Sequence, residues 1–128
     1  MADYTVCTPR SFEASTRVFD SGATRDTNLG KLEHRRFKSF AVDHRFHEYM
    51  NKHRTQSDGS LRDPDNWKRG IPLDVYADSL YRHVHDLMLE IEKSGFTNVL
   101  ALEELLCAVR FNTDGMLHEL LKTKEEKS

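Results

Sequence analysis

The chain has 128 residues, 38% of them hydrophobic and 31% charged, and a formal net charge of −2; that is one domain with a modest core, too short for two. A pI near 6.4 argues against general nucleic-acid binding, which needs a basic excess to neutralise phosphates. No apolar stretch approaches the roughly 20 residues of a membrane span, and Met1-Ala-Asp-Tyr-Thr-Val lacks the basic and apolar regions of a secretion signal. A cytoplasmic protein with Cys7 and Cys107 as ordinary reduced thiols is expected.

Residues 1–36 carry isolated apolar side chains and no sustained periodicity, so they read as an extended arm without a convincing strand. Within it, Gly22 lies near Arg25, and Gly30 precedes Lys31. The first helix is expected from Phe40 to Arg54, with Val42, Phe46, Tyr49, Met50 and His53 on one face. It should end before the turn-forming Ser57-Asp58-Gly59-Ser60. Trp67 then sits in a polar loop with no amphipathic pattern around it, so it must either plug the core or cover a site.

Pro72 suits the first turn of a second helix and Asp74 its positive end. That helix should run to about Lys93, with Tyr76, Leu80, Val84, Leu87 and Ile91 as its buried stripe, and stop at Ser94-Gly95. A third helix, capped by Thr97 or Asn98, is expected to bury Leu102, Leu106, Val109, Thr113, Met116 and Leu120. Gly115 in its interior marks a close helix approach or a slight kink. The fold expected is therefore all-α. A small helical bundle over 37–122 would follow the arm, a charged tail would occupy 123–128, and the core would be completed by a second subunit.

Ser79, His83, Asp86 and Glu90 form a polar stripe beside the apolar face of the second helix. Helical bundles build metal sites on such borders, and an oxygen-rich set with one histidine suits Mg²⁺ or Mn²⁺. The plain alternative is a solvated edge with His83 bonded to Asp86. Asp43 with His47, and His44 with Glu48, have the spacing of exposed helix pairs. Glu103 and Glu104 suit a charged first turn. Lys68 and Arg69 beside Gly70, with Arg82, add cations of the kind phosphates need, though with no P-loop or dinucleotide-binding spacing.

Several segments taken together resemble the phage-encoded dATP/dGTP diphosphohydrolase-type family, MazG-like all-α nucleotide pyrophosphohydrolases. The segments are Ser21-Gly-Ala-Thr-Arg-Asp26 with Gly30-Lys31, Asp65-Asn-Trp-Lys-Arg-Gly-Ile-Pro72, Tyr81-Arg-His-Val-His-Asp86, Glu103-Glu-Leu-Leu-Cys-Ala-Val-Arg-Phe-Asn112 and Gly115-Met-Leu-His-Glu119. The resemblance implies cleavage of purine (d)NTPs to monophosphate and pyrophosphate in phage nucleotide metabolism, a divalent metal between helices, and assembly as a dimer or tetramer. Enzymes of the MazG type carry Glu-x-x-Glu on one helix and Glu-x-x-Asp on the next. Here the first helix offers Asp43, His44, His47 and Glu48, and the second offers His83-x-x-Asp86. Either His83 and Glu103 replace the missing ligands, or the site has lost its metals and only binds.

On the catalytic expectation, Glu48, His83, Asp86 and Glu103 hold Mg²⁺ or Mn²⁺, and the ion positions an attacking water. Glu104 or Glu90 would serve as base. Arg25, Lys31, Lys68 and Arg82 neutralise phosphate, Trp67 faces the base, and Asn66 and Asn112 complete the substrate set. The alternatives are a protein that sequesters a nucleotide or nucleotide signal without cleaving it, and a structural or protein-binding helical module.

Overall fold

The computed structural model describes residues 16–126, so Cys7 and the last two residues lie outside the described part. The described chain is mostly helical, and it divides into two compact units between Ser39 and Phe40. No helix among the described residues is long and apolar enough to cross a membrane.

The N-terminal arm holds a small hairpin where no convincing strand was expected. Strands β1 (Thr16–Val18) and β2 (Thr24–Asp26) pair antiparallel, and one helical turn, α1 (His34–Phe37), follows. Phe19 N–H donates to Ala23 O at 2.9 Å and Gly22 N–H to Phe19 O at 2.8 Å, which closes the reversal between the strands. Three-residue strands are too short to show alternation, so periodicity could not reveal them. Arg25 stands directly opposite Arg17 in this hairpin.

The second unit holds α2 (Phe40–Lys52), α3 (Leu73–Ser94) and α4 (Val99–Glu126). These are the three helices expected, with shifted ends: α2 stops two residues early, and α4 continues through most of the expected charged tail. Pro72 caps α3 from outside rather than sitting in its first turn. Between α3 and α4, Gly95 takes φ +62° and its N–H donates to Ile91 O at 2.8 Å. That left-handed residue reverses the chain cheaply. Asn98 then caps α4, its side chain accepting from Ala101 N–H at 3.3 Å.

α3 and α4 form the principal helix pair, while α2 and the 3₁₀ turn Asn66–Arg69 pack against α4. α3 buries Tyr76 and Leu87 as expected, but Val84 is 36% exposed. The α4 stripe is the larger correction. Leu106 is 54% and Leu120 50% exposed, and Thr113 is exposed, whereas Cys107, Ala108, Asn112 and Gly115 are buried beside Leu102. As the central helix, α4 presents one face to α3 and another to α2, and small residues permit the close approach to α3. A stripe picked by hydrophobicity alone favours the leucines between those faces.

The segment joining α2 to the 3₁₀ turn is pinned. Thr55 and Leu61 make an isolated antiparallel bridge, and Gln56 N–H donates to Ser60 O at 2.8 Å. Arg62 N–H donates to Arg54 O at 2.8 Å, and Arg54 Nε donates back to Arg62 O at 2.9 Å. Asp58 accepts from both Ser60 N–H and Ser60 Oγ, which holds its carboxyl below the usual carboxylate range.

Candidate functional site

A cavity of about 570 Å³ opens within the second unit, within the usual range for small-ligand sites. α2 supplies Phe46, His47, Tyr49 and Met50, and His53 follows directly after it. The pinned loop and 3₁₀ turn supply Arg54, Arg62, Asp63, Asp65, Asn66, Trp67 and Lys68. Ser79 and His83 come from α3, and Phe111 and Asn112 from α4. Aromatic rings, three permanent cations and several amides therefore border one space.

Trp67 is half-buried, so it does not plug the core. Its ring meets His118 of α4 edge-on, with centroids 4.7 Å apart, and the residue also lines the cavity. Lys122 Nζ donates to Lys68 O at 3.1 Å, tying the 3₁₀ turn to α4. Lys68 Nζ lies 5.6 Å from the Trp67 ring centroid and 3.3 Å from Asp65 Oδ1. The rings of Tyr49 and His53, which also border the cavity, lie tilted at 44° to each other with centroids 4.2 Å apart. Burial pushes the Tyr49 hydroxyl above its ordinary range, and the nearby Glu104 carboxylate adds to this. Asn112, also on the lining, is only 3% exposed, and its Nδ2 donates to Ala108 O at 2.8 Å.

Of the expected substrate residues, Asn66, Trp67, Lys68 and Asn112 border this cavity. Arg82 does not border it; it is exposed and donates to Ser79 Oγ, which does, at 3.0 Å. Arg25 and Lys31 belong to the first unit.

The four expected ion ligands are not grouped with one another among the described residues. Among the described residues, no three His, Cys, Asp or Glu side chains are grouped so as to hold a metal ion. Of Glu48, His83, Asp86 and Glu103, His83 alone borders the cavity, while Glu48 and Asp86 are exposed. Glu103 instead accepts from Arg45 Nε at 2.6 Å. Glu104, the expected base, lies 3.2 Å from Arg45 Nη2, 3.1 Å from Lys52 Nζ and 3.9 Å from His53 Nε2. Lys52 and Arg45 hold its carboxyl below the usual range, although burial opposes them. Both glutamates lie where α2 crosses the start of α4, and cations on α2 meet them there. Spacing along one helix cannot reveal a partner on another. Glu90 has a buried Oε1 without a hydrogen-bond partner and is not part of the cavity wall.

Sequence reasoning passed over Arg54, Arg62, Tyr49 and Phe111 as site residues. The signal available was two arginines flanking the Ser57–Ser60 turn: a turn that reverses the chain brings its flanks together.

Compared with known proteins, the chain matches no family model, no curated protein and no solved structure.

Proposed function

We propose that the protein binds a phosphorylated purine nucleotide in the α2–α3–α4 cavity and holds it without cleaving it. One observation carries this reading: the cavity joins aromatic faces, from Trp67, Tyr49, Phe46 and Phe111, to the cations Arg54, Arg62 and Lys68. A flat base is favoured by the first group and a phosphate chain by the second. The purine specification comes from the family resemblance. Binding is favoured over hydrolysis because Glu103 and Glu104 are engaged by Arg45 and Lys52. The residues present therefore do not fit the divalent ion that the resemblance implies.

Cleavage to monophosphate and pyrophosphate is the second reading. It is kept on one observation, that His83 borders the cavity with Asp86 one turn further along α3. It would need carboxylates from a second copy of the chain. Exposed Leu106, Leu117, Leu120 and Leu121 on α4 supply apolar area for such a homo-oligomer, a dimer or tetramer. A nucleotide ligand also fits a cytoplasmic setting with Cys107 as a free thiol.

Trp67 is the single tryptophan of the chain, so its fluorescence reports on the cavity. Titration with a panel of (d)NTPs, with Mn²⁺ and with chelator, should give saturable quenching that survives chelation and intact nucleotide on recovery. Pyrophosphate release with Mn²⁺ would select the second reading. Absence of binding by every (d)NTP would overturn both.

A further inference from the structure

A buried amide that borders an aromatic cavity is an unusual use of a helix position. Asn112 lies in the middle of α4, is 3% exposed, and is the one buried polar side chain among the described residues. Its Nδ2 donates to Ala108 O at 2.8 Å. Only the NH₂ end of an amide can donate to a carbonyl, so this bond fixes which end is which. Among the described residues that is the one side-chain hydrogen bond Asn112 makes, which leaves Oδ1 and the second N–H of Nδ2 for the cavity that Asn112 borders. Phe111 stands beside it, itself braced edge-on by Tyr76 with centroids 5.8 Å apart. An aromatic ring held by packing thus stands next to one oriented acceptor–donor pair.

Resting on the nucleotide reading above, we infer that Asn112 is the specificity-determining residue of the cavity, pairing with a base edge that offers an N–H donor beside an acceptor. Oδ1 accepts the base N–H, and the free Nδ2 hydrogen goes to the neighbouring acceptor. Adenine presents that pattern through its 6-amino group and a ring nitrogen, and guanine through N1–H and O6. A purine with no N–H on its base keeps the ring nitrogens and loses the donor. It would leave Oδ1 buried and unpaired, and sites built to hydrogen-bond a group discriminate strongly against analogues that lack it.

The experiment uses the full chain and three ligands: dATP, dGTP, and the deoxynucleoside triphosphate of unsubstituted purine, whose base has no N–H. Trp67 fluorescence or calorimetry gives the affinities. At least one of dATP and dGTP should bind about tenfold or more tighter than the unsubstituted purine nucleotide, and the pair of values shows which base edge Asn112 reads. In Asn112→Leu, checked for folding by circular dichroism, the three should bind alike, at the level of the unsubstituted purine nucleotide. Equal affinity of the native chain for all three overturns the inference and leaves the nucleotide reading standing. Absence of binding by all three removes the nucleotide reading itself. The ligand comparison is made on the native chain, so it decides the matter even if the variant does not fold.

Discussion

Tyr76 fills the space that a side chain on Gly115 would need: a Cβ built there would lie 2.6 Å from Tyr76 Oη and closer still to two ring carbons. Tyr76 is 1% exposed and Phe111 braces its ring, so it has no room to retreat. Gly115→Ala gains about 1 kcal/mol of helix propensity, but overpacking a filled core typically loses about 1–3 kcal/mol. A net loss of stability is expected in urea denaturation. A more stable variant would show that α3 and α4 do not approach this closely.

The same tyrosine carries a hydroxyl that is buried without a hydrogen-bond partner. Tyr76→Phe removes a desolvated polar group and keeps the ring, so stability should be unchanged or rise by about 1 kcal/mol. It should not rescue Gly115→Ala, because ring carbons as well as Oη occupy the space. Denaturation of the two single variants and the double variant checks both statements.

Glu104 joins α4 to α2 through Lys52 and Arg45. Its carboxyl is held below the ordinary value of 4.5, by Lys52 first, with burial opposing and Arg45 adding to the depression. A group depressed in the folded state contributes stability that is present above its unfolded pKa and lost as pH falls through its folded one. Native stability should therefore decline below about pH 4.5, while Glu104→Gln lacks that part of the decline. At neutral pH the substitution should cost about 1 kcal/mol, the scale of a partly exposed ion-pair network. A variant with the native pH profile of melting temperature would remove Glu104 from this role.

On the nucleotide reading, Trp67→Ala should lower nucleotide affinity by about 10- to 100-fold, since stacking on a base is worth about 1–3 kcal/mol. His118→Ala leaves the indole present but removes the ring it packs against, and a smaller loss is expected. Calorimetry suits both variants, because the first has no tryptophan signal. Unchanged affinity in Trp67→Ala would mean that the indole serves packing alone.

Arg62 and Glu48 give opposite expectations. Arg62 borders the cavity, so Arg62→Ala should weaken triphosphate binding more than nucleoside binding and flatten its salt dependence. Glu48 is exposed and not part of the wall, so Glu48→Ala should leave affinity within about twofold of native, inside the usual scatter of a surface substitution. If Glu48→Ala abolished binding, the carboxylate would belong to a site completed by another subunit.

The helices were legible because their signals are local: the spacing of Phe46, Tyr49 and Met50, the position of Asp74, the stop at Gly95. Gly115 was legible as a close approach or a slight kink, because helix interiors reject glycine without a reason, and Tyr76 shows the close approach. The partner of each charge was not legible. Glu103 and Glu104 look the same along α4 whether they hold an ion, meet solvent or, as here, meet Arg45. The burial of α4 was misread for a related reason: a helix covered on two sides has no single stripe, and its small residues mark the closer contact. Asn66, Trp67 and Lys68 reached the cavity as a contiguous block, whereas Arg54 and Arg62 depend on a reversal whose bridge pairs residues six apart in sequence.

That reversal bears on how fast a ligand leaves. With Thr55 bridged to Leu61, Arg54 Nε donating to Arg62 O and Arg62 Nη1 donating to His53 O, both guanidinium groups are anchored before anything binds. On the nucleotide reading, a phosphate chain entering the cavity would meet a preorganised pair with little chain to order, so the entropic penalty of capture should be small. Substitutions that loosen the bridge should then leave the arrival rate nearly intact and shorten the residence time of the complex.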